Sequence, residues 1–556
     1  MAGLIQGIGV SAGSAYAPAL IVAPPVRPPH DEPVVDGDTA AQRIRAAFDE
    51  VAAQIDQRAA SASDNAAEIL KATAMLARDP GLIDAAVAQA ASCGPATAID
   101  RATQAFVQQF EQLGGYFAER ATDVRDVGDR AIAAVLGEPS PGVSAVTHEC
   151  VLIAHDLAPA ETATLDRQRV VGIVTQAGGR TSHTAILAAQ MGIPAVVKAA
   201  GCLDISPGTP LLVDGEAGQV HIDPAGEQVE RLRGRSARRA QALADSHGPG
   251  ATKDGKSVAL LVNIGGVEDA AAAGAVDAEG VGLFRTEFVF LNASQAPTVA
   301  EQDAIYRQVF APFAGRRVVV RTLDAGADKP LAFANLGAEE NPALGRRGLR
   351  LSALRPDLLD AQLEALSRAA DATGADVRVM APMVALAEEA AWFARRVREN
   401  GLKSVGVMIE VPGAALRSRF VLDEVDFASL GTNDLAQYTM AADRMQGELS
   451  DLLDPWQPAL LDVVAAACDG AAKTGKPMGV CGEAGGDPLV ALVLTGLGVS
   501  SLSMAPSKLA LVRYALAHHT FAQCQHLAHL ARSARTAQDA REAVLAAVAP
   551  AVAAVL

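Results

Sequence analysis

The chain has 556 residues, of which 50% are hydrophobic and 20% are charged, and its formal net charge is −17 at pH 7. This composition is typical of a globular protein, and the length allows roughly three domains. The acidic balance argues against a nucleic-acid partner, and the absence of a long apolar run argues against a membrane span. The N-terminus has no signal segment and the six cysteines have no metal-binding or disulfide spacing, so we expect a reduced, cytoplasmic protein.

The first part of the chain predicts a sheet interrupted by helices. Residues 3–23 alternate small and apolar side chains, which indicates strands with glycine turns, and a proline-rich stretch at 24–33 ends them. From 38 to 137 apolar residues recur every three or four positions, as in a bundle of about four helices. Apolar strands resume at 150–153 and continue to Val220. The simplest topology is therefore an α/β domain into which a helical domain is inserted.

A histidine follows one of the later strands. Residues 170–174 form an apolar run, Gly178–Gly179 allow a tight turn, and Thr181–Ser182 are helix N-cap types. His183 therefore lies in or next to the first turn of a helix that Gly192 ends. Free N–H groups and the positive end of the helix dipole favour an anion there. An imidazole at this position could take up a phosphoryl group, whose charge the backbone donors would meet.

The C-terminal half alternates short apolar runs with helical patterns, after a charged helical segment at 227–247 that Gly248–Gly250 ends. Such alternation predicts βα units around a parallel sheet. Eight strands fit a (β/α)₈ barrel, whose active site lies at the carboxyl ends of the strands. The predicted strands are 258–262, 280–284, 317–320, 377–381, 405–409, 426–430, 477–480 and 500–503.

Polar residues close or follow several of these strands, namely Arg285, Arg321, Glu410, Asn433, Asp434 and Cys481. Guanidinium groups are unusual beside buried apolar strands, and their planar forks suit carboxylates and phosphates. Glu410 and Asp434 offer hard oxygen ligands for Mg²⁺. Arg444 lies ten residues after Asp434, close enough in the chain to reach the same bound anion as the other arginines. The set fits a small anion that carries both a carboxylate and a phosphate, such as phosphoenolpyruvate.

Three motifs carry a resemblance to a known family. Gly178–Thr184 resembles the phosphohistidine motif of the phosphoenolpyruvate-utilising enzymes. Gly431–Thr439 and Val480–Glu483 are similar to motifs of Enzyme I of the bacterial phosphoenolpyruvate:sugar phosphotransferase system, and the resemblance runs from about residue 5 to about residue 510. It implies transfer of the phosphoryl group of phosphoenolpyruvate to His183 and then to a histidine of the carrier protein HPr. Pyruvate is released, and the transfer is the first step of sugar uptake in that family.

The resemblance also implies a multidomain α/β fold with a division of the chain. A swivelling phosphohistidine domain would comprise residues 1–30 and 145–225, with an inserted helical HPr-binding domain at 31–144. A linker helix would follow at 226–250. Residues 251–556 would form a C-terminal (β/α)₈ TIM barrel that binds phosphoenolpyruvate and forms a homodimer.

The resemblance assigns roles to individual residues. His183 would be the nucleophile and Cys481 the proton donor to the enolate of pyruvate. Arg347, at the end of the motif Asn341–Arg347, would contact the phosphate, with Arg346 as the alternative. Mg²⁺ would be held by Glu410 and Asp434. The substrate-binding set would be Arg285, Arg321, Arg347, Asn433, Asp434 and Arg444.

A short apolar pair in the helical region resembles the HPr-docking patch of the family. It is Met75–Leu76, and the alternative is that both side chains belong to the core of the bundle. Many relatives have a histidine two residues before the methionine, where this chain has Thr73. The difference bears on recognition of the carrier rather than on phosphoryl chemistry.

The sequence leaves three other functions to compare with this hypothesis. Pyruvate phosphate dikinase or phosphoenolpyruvate synthase would need an ATP-binding domain before His183, where the sequence has no glycine-rich phosphate loop. A non-catalytic scaffold would lack one of the key residues, and all are present. A C-terminal metal site could be formed by a group of irregular spacing, namely His518, His519, Cys524, His526 and His529.

Overall fold

The computed structural model describes most of the chain as two compact units, Met1–Ser236 and Ala237–Leu556. The residues described are 3–11, 13–22, 25–60, 64–113, 115–138, 140, 146, 148–157, 165–179, 183–291, 293, 295–325, 331–334, 337, 339–444 and 446–556. Each unit is built around its own sheet, and the expected multidomain α/β fold is confirmed.

The first unit contains a mixed sheet of eight strands in the order β1-β8-β7-β3-β4-β5-β6-β2. Strands β3 to β6 run parallel to their neighbours in that series, and the remaining pairs are antiparallel. The strands are β1 (Gly3–Gln6), β2 (Ile8–Ser11), β3 (Ser14–Ile21), β4 (Cys150–Ala154), β5 (Val170–Thr175), β6 (Ala195–Val197), β7 (Pro210–Asp214) and β8 (Gln219–Ile222).

Strand β4 shows why this sheet is covered on both faces. All five of its residues are buried. Val151 and Ile153 belong to one apolar cluster, whereas Cys150 and Leu152 belong to another, as expected when successive side chains point to opposite faces. Near-continuous apolar sequence is typical of such a strand. This is why the run at 150–153 was recognisable from sequence.

Between β3 and β4 the chain forms helices that pack on one another. They are α1 (Gly37–Ala59), α2 (Asp64–Ala77), α3 (Pro80–Gln89), α4 (Pro95–Leu113) and α5 (Gly115–Leu136). The apolar stripe predicted on the first helix is buried, with Ile44 and Phe48 at 0% exposure. Asp36 caps α1 and Asp79 caps α3, each by accepting a backbone N–H bond in the first turn. The bundle has one helix more than the sequence indicated.

The helix α6 (His183–Met191) follows β5, and α7 (Gly226–Ala244) follows β8. The first half of α7 belongs to the first unit, where Arg235 binds Asp214 at 2.8 Å. Its second half belongs to the second unit, where Ala242 packs with Leu511 and Val555. The boundary between the two compact units therefore falls inside a single helix.

The second unit is a closed barrel of eight parallel strands. All eight predicted strands are present, with each end within two residues of its predicted position. The strands are β9 (Ala259–Ile264), β10 (Gly280–Arg285), β11 (Arg317–Arg321), β12 (Asp376–Ala381), β13 (Ser404–Ile409), β14 (Phe427–Leu430), β15 (Met478–Val480) and β16 (Ser501–Met504).

Helices surround the barrel and bury its outer face. The larger ones are α8 (Val267–Gly274), α9 (Phe288–Leu291), α10 (Val299–Phe310), α11 (Leu349–Leu354), α12 (Pro356–Thr373), α13 (Ala387–Glu399), α14 (Pro412–Leu416), α15 (Ser418–Glu424), α16 (Thr432–Met440), α17 (Pro458–Thr474), α18 (Pro488–Leu497), α19 (Leu509–Ala517), α20 (Phe521–Ser533), α21 (Ala537–Ala547) and α22 (Pro550–Ala553). Inside the barrel lies an apolar layer formed by Leu283, Val319, Met380, Met408, Phe427 and Cys481.

Two chemical expectations about the whole chain can be compared with the structure. All six cysteines are buried and none forms a disulfide. Over the ranges given above, no helix combines the length and the apolar composition that crossing a bilayer would require.

Candidate active site

The carboxyl ends of the barrel strands surround a cavity of about 200 Å³. Every barrel residue that the sequence assigned to substrate, metal or proton transfer lines it, namely Arg285, Arg321, Arg347, Glu410, Asn433, Asp434, Arg444 and Cys481. These residues come from five strand ends and the segments that follow them. The structure therefore brings together side chains that are up to 196 positions apart in the sequence, from Arg285 to Cys481.

Arg321, the last residue of β11, is held by two carboxylates. Its Nη2 donates to Glu287 Oε1 at 2.8 Å, and its Nη1 lies 3.2 Å from Asp324 Oδ2. Burial alone would lower the pKa of Arg321, but these carboxylates and Glu410 hold it far above its usual range. The guanidinium group is therefore permanently charged and fixed in one orientation.

Arg347 shares a partner with Arg321. Its Nη2 donates to Asp324 Oδ2 at 3.0 Å and its Nη1 donates to Asp434 Oδ1 at 3.1 Å. Asp324 thus accepts from two arginines through the same oxygen. Burial acts to raise the pKa of Asp324, but Arg321 and Arg347 outweigh it and keep the pKa below its ordinary value. The predicted alternative, Arg346, binds Glu339 at 3.0 Å instead.

Glu410 is the fully buried carboxyl of the cavity. Its Oε1 accepts a bond of 2.6 Å from the backbone N–H of Met383, whereas its Oε2 is buried without a hydrogen-bond partner. Burial, together with the nearby charges of Asp434 and Asp324, raises the pKa of Glu410 to about 8. A Cβ atom at Gly431 would lie 2.5 Å from Oε2, so a larger residue there would displace this carboxyl group.

Cys481 follows β15 and is 1% exposed. Its Sγ lies 3.6 Å from the carbonyl oxygen of Leu430. Burial raises the pKa of the Cys481 thiol to about 11, so the sulfur keeps its proton at neutral pH. A thiol in this state can donate a proton but is a poor nucleophile.

The remaining polar side chains complete the wall of the cavity. Arg444 Nη1 lies 3.7 Å from Asp434 Oδ2, and Asn433 Oδ1 accepts from the Glu483 N–H at 3.3 Å. Arg285 is exposed at the end of β10. In the part of the barrel that the structure describes, it has no carboxylate partner. Of the four arginines, it is therefore the one whose donors are most available to a ligand.

Comparisons with known proteins show the family of the chain. The family described as PEP-utilising enzyme, PEP-binding domain, matches residues 239–521. The mobile domain of the same enzymes matches residues 146–218, and their N-terminal domain matches residues 6–120. The chain belongs to the PEP-utilising enzyme family.

Curated relatives cover almost the whole length of this family member. A phosphoenolpyruvate-protein phosphotransferase of Streptomyces coelicolor is 49% identical over 94% of this chain and 95% of the relative. Proteins of the same name from Haloferax volcanii and Geobacillus stearothermophilus are 39% and 37% identical, over 87% of each chain and 91% of each chain respectively. The family resemblance inferred from the motifs is confirmed, and the chain is an enzyme of this type.

The phosphohistidine motif of the family is described only in part. Gly178 has φ +91°, a left-handed conformation that glycine adopts without strain, and the next helix begins at His183 as predicted. Thr184 Oγ1 donates to the carbonyl of Leu157 at 3.2 Å. The expected N-cap residues Thr181 and Ser182 lie outside the described residues, and the side chain of His183 is not described either.

The docking pair that resembles the HPr-binding patch is divided between surface and core. Met75 is 73% exposed, whereas Leu76 is half-buried against the helical core. Thr73 is completely buried, so its side chain faces the interior of the bundle. The pair therefore combines one exposed and one packed residue.

The cavity offers some, but not all, of the oxygen ligands that a divalent cation needs. Among the described residues, no cluster of three or more His, Cys, Asp or Glu side chains is arranged for a metal ion. Glu410 Oε2 and Asp324 Oδ1 are buried acceptors without hydrogen-bond partners, and Asp434 lies beside them. Two or three hard oxygens with open positions suit Mg²⁺, which normally keeps water and substrate phosphate among its ligands.

The alternative metal site near the C-terminus is wrong. His519 uses both ring nitrogens within the protein, since Nδ1 contacts the Ala515 carbonyl at 2.8 Å and Nε2 accepts the Ala549 N–H at 2.9 Å. The bond from Ala549, just before α22, occupies the electron pair of Nε2 that a metal ion would need. Cys524 is buried in the core of the barrel unit.

Sequence reasoning missed the residues that hold the arginines in place. Glu287 and Asp324 follow Arg285 and Arg321 by two and three positions, so an acidic residue after each strand-end arginine was the available signal. Gln362, on α12, gave no signal. Its side chain makes hydrogen bonds with Thr286 after β10 and with Leu323 after β11, and a third with Tyr306 on α10.

Proposed function

We propose that the enzyme transfers the phosphoryl group of phosphoenolpyruvate to His183 and then to a histidine of a small carrier protein of the HPr type. The observation that carries this proposal is the convergence of four arginines, the carboxyl groups of Glu410 and Asp434, and the Cys481 thiol in one cavity. Release of pyruvate and a role in sugar uptake follow from the same family resemblance. A cytoplasmic location and a homodimer formed through the barrel are part of this proposal.

The cavity suits an anion that carries a carboxylate and a phosphate. Arg285 has free donors at the mouth, and Arg444 is one-third exposed, so both can turn towards a ligand. Arg321 and Arg347 are already oriented by Asp324 and need no rearrangement. Preorganised donors of this kind stabilise the charge that spreads over a phosphoryl group during transfer.

Glu410 and Asp434 would hold Mg²⁺. When bound, the ion would neutralise charge on the transferring phosphate and relieve the repulsion that raises the pKa of Glu410. The protein supplies two carboxylates and leaves other positions to substrate and water. Asn433 would bind the substrate beside them.

The covalent steps balance with the residues present. Neutral His183 attacks phosphorus through Nε2, the bond from phosphorus to the enol oxygen breaks, and the electron pair leaves with the enolate. The Cys481 thiol then donates its proton to the methylene carbon, which gives pyruvate. Solvent reprotonates the thiolate. The high pKa of Cys481 suits an acid that must stay protonated until the enolate forms.

The relay requires a conformational change. The cavity belongs to Ala237–Leu556, whereas His183 belongs to Met1–Ser236 and must serve both the substrate and the carrier. We place the hinge in α7, because its two halves are anchored in different units. A crosslink that locks the 226–250 segment should block one half-reaction, and full turnover in the locked protein would rule the swivel out.

The proposal is tested by incubation with phosphoenolpyruvate carrying ³²P, in the presence of Mg²⁺. We expect acid-labile label on His183, release of one pyruvate for each phosphoryl group, and transfer of the label when HPr is added. His183→Ala should take up no label. Labelling of His183 from ATP would instead support the pyruvate phosphate dikinase alternative, and label on another residue would contradict both.

A further inference from the structure

A second cavity lies inside the barrel at the opposite end from the candidate active site. Its lining includes Arg317 and Ser501, the first residues of β11 and β16, and Pro477, which precedes β15. The cavity is therefore at the amino-terminal mouth of the barrel. Its volume is about 30 Å³. A single water needs about 10–15 Å³ by the same measure, so the space exceeds one water and suits a small ion.

This cavity is separate from the active site. The two have no lining residue in common. The apolar layer inside the barrel lies between them. Val319 and Phe427 line the cavity at the amino-terminal mouth, and Leu283 and Met408 line the candidate active site. A ligand bound at the amino-terminal mouth would therefore not be phosphoenolpyruvate on its way to the candidate active site.

Arg317 is a half-buried cation whose charge is not neutralised by a direct contact. In the described part of the chain it has neither a hydrogen-bond nor an ion-pair partner. Its neighbour Arg378 is bound by Asp376, at 3.0 and 2.6 Å. The other nearby carboxylate, Glu279, accepts from two backbone N–H groups through Oε1. Burial and the like charge of Arg378 lower the pKa of Arg317, and Glu279 and Asp376 oppose this shift without reversing it.

Hydroxyl groups line the same space. Gly479 leaves room for the side chain of Ser501, because a Cβ atom there would lie 2.6 Å from Ser501 Oγ. Ser503 Oγ is engaged with Asn263, whereas Ser501 Oγ has no hydrogen-bond partner within the described residues. Arg317 and Ser501 thus bring donors to this small, partly enclosed space, and no described protein group accepts from them.

We propose that the amino-terminal mouth of the barrel binds one small inorganic anion, of the size of chloride, between Arg317 and Ser501. The anion accepts hydrogen bonds from both side chains and neutralises Arg317. It stabilises the barrel from the end opposite to the catalytic cavity. The inference is independent of the proposed phosphoryl relay.

The test compares chloride with gluconate at constant ionic strength, using the full chain. We expect the Tm of the wild type to rise with chloride concentration and to saturate, because a ligand bound only by the folded state stabilises it. Arg317→Gln should lose this shift. Arg395→Gln, which removes the same charge at an exposed position of α13, should keep it. If Arg317→Gln does not fold, Ser501→Ala replaces it, with a weaker chloride dependence expected.

Crystals soaked in bromide locate the anion directly. We expect an anomalous peak between Arg317 and Ser501 in the wild type and none in Arg317→Gln. The absence of a peak there, or an equal chloride shift in Arg317→Gln, would overturn the proposal. A peak without any chloride dependence of the Tm would indicate an adventitious ion only, and would overturn it as well.

Discussion

At the scale of single residues, buried carboxylates hold the arginines of the strand-end cavity in place. Asp324 pairs with Arg321 and Arg347 through one oxygen, and all three residues are less than one-tenth exposed. Separately, each buried charge would be costly. Together with Glu287 and Asp434 they form a network in which two guanidinium groups are fixed before any ligand arrives. The network therefore fixes two otherwise flexible arginines at the wall of the cavity.

Replacement of Asp324 by asparagine should loosen both arginines. We expect the KM for phosphoenolpyruvate to rise about tenfold or more, since a hydrogen bond between charged groups contributes about 1.5–3 kcal/mol. Steady-state pyruvate release measures the change. Asp357→Asn is the control, because that carboxylate pairs with Arg355 at the surface. An unchanged KM and kcat in Asp324→Asn would show that the shared carboxylate does not position the arginines.

Cys481→Ala removes the proposed proton donor. The reverse reaction requires the same group to take a proton from the methyl of pyruvate, so exchange of that methyl with deuterated solvent should fall about 10²–10⁴-fold. Loss of the methyl signal in proton NMR measures the exchange. Cys468→Ala is a matched control, because Cys468 is a buried thiol on α17, away from the cavity. Equal exchange in the two variants would assign the proton to another group.

Asp129, on α5, gives a pH-dependent prediction in the helical region. Burial, opposed by Arg27, raises its pKa from 3.8 to about 6. The native state therefore binds its proton more tightly than the unfolded state, and stability is lost as pH rises from about 4 to about 6. Asp129→Asn avoids this loss, so its Tm should exceed that of the wild type at pH 7.5 and equal it below pH 4. A Tm difference that does not vary with pH would contradict the assignment.

At the scale of elements, a chain of hydrogen bonds joins two helices to two strand ends. Tyr306, on α10, donates to Gln302 and accepts from Gln362 on α12 at 3.0 Å. The same amide nitrogen donates to Thr286, whose hydroxyl donates to the carbonyl of Arg321 at 2.9 Å. The Gln362 carbonyl oxygen accepts the N–H of Leu323. Every donor and acceptor is assigned, so the orientation of the amide is fixed.

Gln362→Leu keeps the approximate volume of the side chain and removes all three bonds. We expect the segments carrying Thr286 and Arg321 to shift, which should raise the KM for phosphoenolpyruvate more than it lowers kcat. Unpaired buried groups should also lower stability by about 1–3 kcal/mol. Gln308→Leu, at an exposed position of α10, is the control. A loss of stability with an unchanged KM would restrict Gln362 to a structural role.

The elements also show what could be predicted from sequence. The eight barrel strands were recognisable because parallel strands buried on both faces are continuous apolar runs. The residues that end or follow these strands then predicted the lining of the cavity. Gln362 could not be found this way, because it lies on a helix 39 positions from the backbone N–H that it binds. The spacing of the C-terminal histidines could not exclude a metal site, because it does not show that both ring nitrogens of His519 bind the backbone.

At the scale of the whole molecule, one helix, α7, spans the boundary between the two compact units. Sequence placed His183 and the cavity residues in different parts of the chain, and the division at Ser236–Ala237 agrees with that separation. The helix α7 looked like a single charged segment in the sequence. That its halves pack in different units depends on contacts such as Arg235 with Asp214, which no local pattern contains.

Binding of phosphoenolpyruvate in the strand-end cavity can be measured directly. Equilibrium binding to His183→Ala, measured by calorimetry with Mg²⁺, tests it without turnover. We predict one phosphoenolpyruvate per chain, bound about tenfold or more weakly when Arg347→Gln is added, as expected for the loss of a charged hydrogen bond. Arg355→Gln, at the surface, should leave the affinity unchanged. Equal affinity in the Arg347→Gln and Arg355→Gln proteins would contradict the account.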